Sequence, residues 1–172
     1  MSCVRSIAFF ATLVLSVSIA HVEALPTICG RKELKVTKVL GCQVKDNVCF
    51  IKDSPGGQIE YIIAEARKYR FIVVDGRCDS ACEDVAELYK DKIRVTRRAS
   101  FGFHQVQIWD MRLIRGRSCM VDSGKRYPTK HLPAIQKWIN AHGGEPRNRM
   151  LRMRFNDIHN LGVWRMYDPS EK

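Results

Sequence analysis

A chain of 172 residues with a formal net charge of +11 has room for one domain with a real core. Beyond residue 24 no stretch is long and apolar enough to cross a bilayer, no repeat of fixed period is evident, and no low-complexity linker divides the chain. The charge favours anionic surfaces as partners, whereas nucleic acid is not expected, because neither a helix-turn-helix nor an aromatic RNA-binding signature is present.

Residues 1–24 read as a secretory signal peptide. Arg5 gives the positive start, residues 7–20 an apolar run, and Val22-Glu23-Ala24 a small-residue cleavage site before Leu25-Pro26. The run is short for a membrane span, so an uncleaved anchor is the lesser alternative. Cys3 lies in the charged start rather than at a cleavage site, which argues against a lipoprotein. Removing Arg5 and Glu23 together leaves the net charge unchanged. The domain is then residues 25–172, expected in the periplasm or secreted.

Of seven cysteines, Cys3 falls in the signal, leaving Cys29, Cys42, Cys49, Cys78, Cys82 and Cys119. An even set after an export signal points to disulfides in an oxidising compartment. Cys42 with Cys49 is the natural pair, across the turn at Asp46-Asn47. Cys78 and Cys82 either pair with each other or send one partner to Cys119. A zinc site from Cys78, Cys82 and a histidine lacks a standard spacing, so neither metal nor cofactor is expected.

Residues 34–40 alternate apolar Leu34, Val36 and Val39 with Lys35 and Lys38, which predicts a half-exposed strand. Residues 41–44 begin a second strand and 48–51 a third. Ile59, Ile62, Ile63, Ala66 and Tyr69 recur at helical spacing and predict a helix over 58–69 with its apolar face on a sheet. Residues 71–74 are apolar and rich in β-branched side chains, predicting a buried strand that Gly76 breaks. Ser80, followed three residues later by Glu83, has the form of a capping box, and Val85, Ala86, Leu88 and Tyr89 give the helix an apolar face. Strands over 93–96 and 105–114, turns at 115–117 and 122–125, and a helix from Pro133 through Trp138 to the Gly143-Gly144 loop follow. Residues 147–154 alternate arginine with methionine or leucine and predict an exposed edge strand. Asp157 opens a short last helix. Strands alternating with helices indicate α/β architecture.

Three pieces carry chemistry. Ser80 at a strand-to-helix turn sits beside free backbone N–H groups at the positive end of a helix, although most serines in such a position are only caps. Ser54-Pro55-Gly56-Gly57 leaves N–H groups uncovered by side chains. His104 in Phe101-Gly102-Phe103-His104 has the titration range of a base for a serine. In this order the pieces resemble the crotonase-like superfamily, closest to the Clp protease proteolytic subunit and its small periplasmic members. The resemblance spans about residues 44–104. It implies a ββα spiral in a single small domain and an exported serine hydrolase, most readily a peptidase. By that resemblance Ser80 is the nucleophile, His104 the base, and the N–H groups of Gly57 and Ala81 the oxyanion hole. A peptide or protein would be the substrate. The family often forms rings or other oligomers, so self-association is open, although the chain is short and its cysteines could replace oligomer contacts.

The chain departs from the family in two ways. Asp79 places a negative charge beside the serine. Where the family has its third, orienting acid, this chain has Arg147 to Arg154, with only Glu145 and Asp157 flanking the gap. The alternative function is therefore a catalytically inactive, disulfide-stabilised periplasmic binding or assembly protein on the same fold.

Overall fold

The computed structural model describes residues 27–29 and 40–170. The expected signal peptide, and all but Leu40 of the expected strand over 34–40, lie outside these residues. The described chain forms ten strands and four α-helices in a mixed α/β domain. The strands are β1 (Thr27–Cys29), β2 (Cys42–Lys45), β3 (Val48–Ser54), β4 (Phe71–Asp79), β5 (Ile93–Val95), β6 (Ser100–Phe103), β7 (Val106–Ile114), β8 (Arg117–Tyr127), β9 (Leu151–Arg154) and β10 (Arg165–Met166). The helices are α1 (Ile59–Ala66), α2 (Ala81–Leu88), α3 (Pro133–Ala141) and α4 (Phe155–Leu161).

The larger sheet runs β10-β5-β4-β3-β2, with β6 on β4 and β9 on β6. Strand β4 is its axis. It pairs in parallel with β3 along one edge. Along the other edge its first half pairs with β5 and its second half with β6. Strands β2 and β9 are antiparallel additions. Ile72, Val73 and Val74 are almost fully buried, as expected of a parallel strand covered on both faces. Ile62 and Ala66 of α1 and Val85 and Ala86 of α2 join the core, and Trp164 stacks on Phe101 while its Nε1–H donates to Ala86 O at 3.0 Å. Leu88, expected on the apolar face of α2, is instead exposed.

Two of the expected breaks are not breaks. Strand β4 continues through Gly76 to Asp79. A Cβ at Gly76 would overlap the Lys52 carbonyl, where β3 shifts register between Ile51 and Asp53. The glycine admits the neighbouring backbone rather than ending the strand. Residues 122–125 form no turn between elements but an irregularity inside β8, at a register shift opposite β7. Asp122 stabilises it by accepting from Gly124 N at 2.9 Å and from Arg126. The expected turn at 115–117 does form, with Arg115 and Gly116 at positive φ closing the β7–β8 hairpin. Strand β9 does form an edge, but Met153 is fully buried and Arg152 half-buried, so it is not the exposed strand expected.

Three disulfides join Cys42 to Cys49, Cys78 to Cys82 and Cys29 to Cys119. The first closes the β2–β3 hairpin, whose Asp46 and Asn47 both take positive φ. The last staples β1 to β8, where the two cysteines lie in register. Such a set fits an oxidising compartment.

Asp75 is 7% exposed and accepts from Lys52, Arg98 and Thr96. Burial alone would raise its carboxyl, but the hydrogen bonds from Arg98 and Lys52 outweigh it and hold the group well below the usual carboxylate range. The contribution of Asp75 is therefore present above its unfolded value near pH 4 and fades as the pH falls further. Asp75→Asn should cost about 2 kcal/mol at pH 7, and urea unfolding at several pH values should show the gap to wild type closing below about pH 4. Gly76→Ala should cost about 3 kcal/mol in the same measurement, because the obstruction is backbone.

Candidate active site

Ser80 alone makes the turn from β4 into α2. Its backbone sits at φ 54° and ψ −130°, a region that side-chain-bearing residues rarely adopt. Its N–H donates to Gly102 O at 2.8 Å, and its carbonyl accepts from Glu83 N at 2.7 Å and Asp84 N at 3.1 Å. The side chain makes no cap hydrogen bond. The capping box expected here is therefore absent. A capping serine needs extended backbone to bring its oxygen over the first turn, and positive φ swings it away. The hydroxyl instead meets His104 Nε2 at 2.8 Å.

The neighbours of the turn account for its shape. Gly56, at φ 85°, has no room for a side chain: a Cβ there would come to 2.5 Å from Asp79 O and 2.8 Å from Ser80 Cβ. The Ser-Pro-Gly-Gly loop thus lies directly on the serine turn, and Gly56 rather than Gly57 makes the contact. Gly57, at φ 146°, faces open space. The N–H groups of Gly57 and Ala81 enter no hydrogen bond among the described residues. Cys78 and Cys82 bracket the turn with a bridge whose Cα atoms are 5.3 Å apart.

Asp79 does not present a bare charge to the serine. It is 2% exposed and accepts two hydrogen bonds from Arg152 of β9, at 2.7 and 2.9 Å, with Arg77 at 3.8 Å. A Cβ at Gly102 would overlap the Asp79 carboxylate, so this pair and the β4–β6 pairing are built around that glycine. The same pairing carries β6 to the C-terminal end of β4 and sets His104, the residue after it, beside Ser80.

No carboxylate reaches the other ring nitrogen of His104 among the described residues. Glu145 lies elsewhere: it accepts from Thr129 N and bonds His131 Nε2, both at 2.7 Å. Asp157 accepts from Arg154 N at 3.3 Å and caps α4. Neither flanking acid orients the histidine.

A cavity of about 390 Å³ opens beside His104 and is lined by Gln107, Arg126, Arg147, Asn148, Arg149 and Met150. Arg126 is held by Asp122, whereas Arg147 and Arg149 are exposed. The arginine-rich segment after Gly144 therefore brings cations to the site, as its composition implies.

Sequence reasoning missed a second group. Glu83, the supposed capping-box acid, is buried with His131 and the side chain of Glu145, and half-buried Asp84 and Glu87 stand beside them. Burial, reinforced by Glu87, raises the Glu83 carboxyl well above the usual range, and burial pushes Asp84 up to about 6. Burial opposes charge on His131, but hydrogen bonds to Glu145 and Glu87 prevail and raise it to about 9. The available signal was the spacing of Glu83 and Glu87 on one helical face.

Comparison with protein-family models, with curated proteins and with solved structures gives no match to this chain.

Asp79→Ala should destabilise the fold by about 2–4 kcal/mol, because Arg152 loses its bidentate partner. Asp79→Ala/Arg152→Met should recover part of that loss, and denaturant unfolding of the single and double variants reads it.

Proposed function

We propose that this chain is an exported serine hydrolase, most readily a peptidase, on a crotonase-like scaffold of the kind found in the Clp protease proteolytic subunit. One observation carries the reading. Ser80 gives up the helix cap that its position offers, at the cost of an unfavourable backbone conformation, and turns its hydroxyl onto His104 Nε2. Strain kept at one residue, with a base in hydrogen-bond reach, is the arrangement expected of an activated nucleophile. The consecutive β3–α1 and β4–α2 units and the glycine loop packed on the serine support the scaffold. The three disulfides support the periplasm or the exterior as its location.

In this reading Ser80 Oγ attacks a substrate carbonyl while its proton passes to His104 Nε2. The N–H groups of Gly57 and Ala81 receive the oxyanion, reinforced by the positive end of α2. His104 then returns the proton to the leaving group, and water repeats the sequence to release the acyl product. Asp79, neutralised by Arg152, does not oppose the oxyanion. The arginines beside His104 suit a substrate or surface that carries negative charge.

A second reading rests on the missing acid. Without a carboxylate on its other nitrogen the imidazole is not fixed in its useful tautomer, and loss of that partner costs about 10⁴-fold in a triad enzyme. The same scaffold would then serve as a disulfide-stabilised binding or assembly protein. A fluorophosphonate probe on the oxidised mature protein separates the two. Labelling of the wild type that is lost in both Ser80→Ala and His104→Ala supports the hydrolase. No labelling of the folded wild type supports the binding protein.

A further inference from the structure

Below the serine turn, four carboxylates surround one imidazole, and the proposed hydrolytic site uses none of them. Glu83, Asp84 and Glu87 belong to α2, His131 to the segment before α3, and Glu145 to the loop after it. The side chains of Glu83, His131 and Glu145 are 2%, 2% and 3% exposed. His131 Nδ1 faces the α2 acids, 2.5 Å from Glu87 Oε1 and 3.8 Å from Glu83 Oε2. Glu83, Asp84 and His131 each present a ligand atom within 4.8 Å of the others. One N–H on that nitrogen cannot serve all the oxygens turned towards it. Glu83 Oε1, fully buried, has no hydrogen-bond partner among the described residues.

We propose that this cluster is a closed site for a divalent transition-metal ion, zinc by preference. Oxygens of Glu83 and Asp84 and the imidazole of His131, whose ligand atoms lie together, are its first three ligands, and an oxygen of Glu87, which meets His131 Nδ1, is the fourth. A set of one imidazole and three carboxylates gives the four ligands usual for structural zinc, and it is too small and too nitrogenous for calcium, which takes six to eight oxygens. His131 Nε2, 2.7 Å from Glu145 Oε1, already makes the supporting carboxylate contact typical of metal-bound histidine. With all four positions taken by protein, the ion is structural rather than catalytic. It ties α2, which starts immediately after Ser80, to the segment of His131 and the loop of Glu145. That loop also holds the residue after His104: Gln105 donates from its backbone to Pro146 O and from its side chain to Glu145 O, both at 3.2 Å. The ion would thus brace the elements that carry both Ser80 and His104. The inference does not depend on hydrolysis, and its test reads no activity.

The test is binding of Zn²⁺ and Co²⁺ to the oxidised mature protein after dialysis against a chelator. One equivalent of Zn²⁺ should bind and raise the melting temperature, and Co²⁺ should give the intense visible bands of a four-coordinate site. Glu83→Gln and His131→Asn should weaken Zn²⁺ binding at least 100-fold, and Glu145→Gln about 10–100-fold, as for loss of a carboxylate behind a metal-bound histidine. His142→Ala, which removes an exposed imidazole outside the cluster, should change nothing. The cobalt spectrum of the wild type decides the matter even if a cluster variant does not fold. No binding of either ion, a six-coordinate cobalt spectrum, or Zn²⁺ binding that survives Glu83→Gln or disappears with His142→Ala would overturn the proposal.

Discussion

The inverted backbone at Ser80 is the constraint from which the rest of the site follows. A residue with a side chain at positive φ costs about 1–3 kcal/mol and persists only where its surroundings leave no other choice. Here Gly56 occupies the space against its Cβ, Gly102 O anchors its N–H, and the first turn of α2 holds its carbonyl. The Cys78–Cys82 bridge closes the same segment covalently. Relaxation to an ordinary cap would move the hydroxyl onto α2, away from His104.

Each supporting element is placed by the axis strand. Pairing of β6 with the last residues of β4 delivers His104, and the exchange of hydrogen bonds between β6 and β9 delivers Arg152 to Asp79. Gly76 and Gly102 allow this because each removes a side chain where another group passes close by. The acid next to the serine is thereby a fixed ion-pair partner that joins β9 to β4. Beneath the turn, the opposite face of α2 buries acids rather than apolar side chains, so the helix is anchored chemically as well as by packing.

The main strands and helices were legible because parallel strands in a covered sheet are continuous apolar runs and because helical spacing in α1 and α3 is clear. The Cys42–Cys49 pair was legible because the turn between the cysteines is short. Cys29–Cys119 was not, since the partnership depends on the β1–β8 register. Ser80, Gly56, Gly57 and His104 were recognisable as an ordered set. Their meeting depends on where β6 pairs along β4, which local pattern does not encode. Gly76 was misread because local preference treats glycine as punctuation, and close backbone approach is a tertiary fact. Glu83 was misread for a similar reason: its spacing from Ser80 satisfies a capping box, but the backbone at Ser80 does not. The arginine-rich stretch after Gly144 gave no hint that one of its members neutralises Asp79.

The most direct test of the account is a crystal structure of the oxidised mature protein exposed to a peptide boronic acid. The account predicts boron bonded to Ser80 Oγ, Ser80 at positive φ, and a boron-bound oxygen facing the N–H groups of Gly57 and Ala81. A structure with no adduct, Ser80 at negative φ capping α2, and His104 turned away from it would contradict the account.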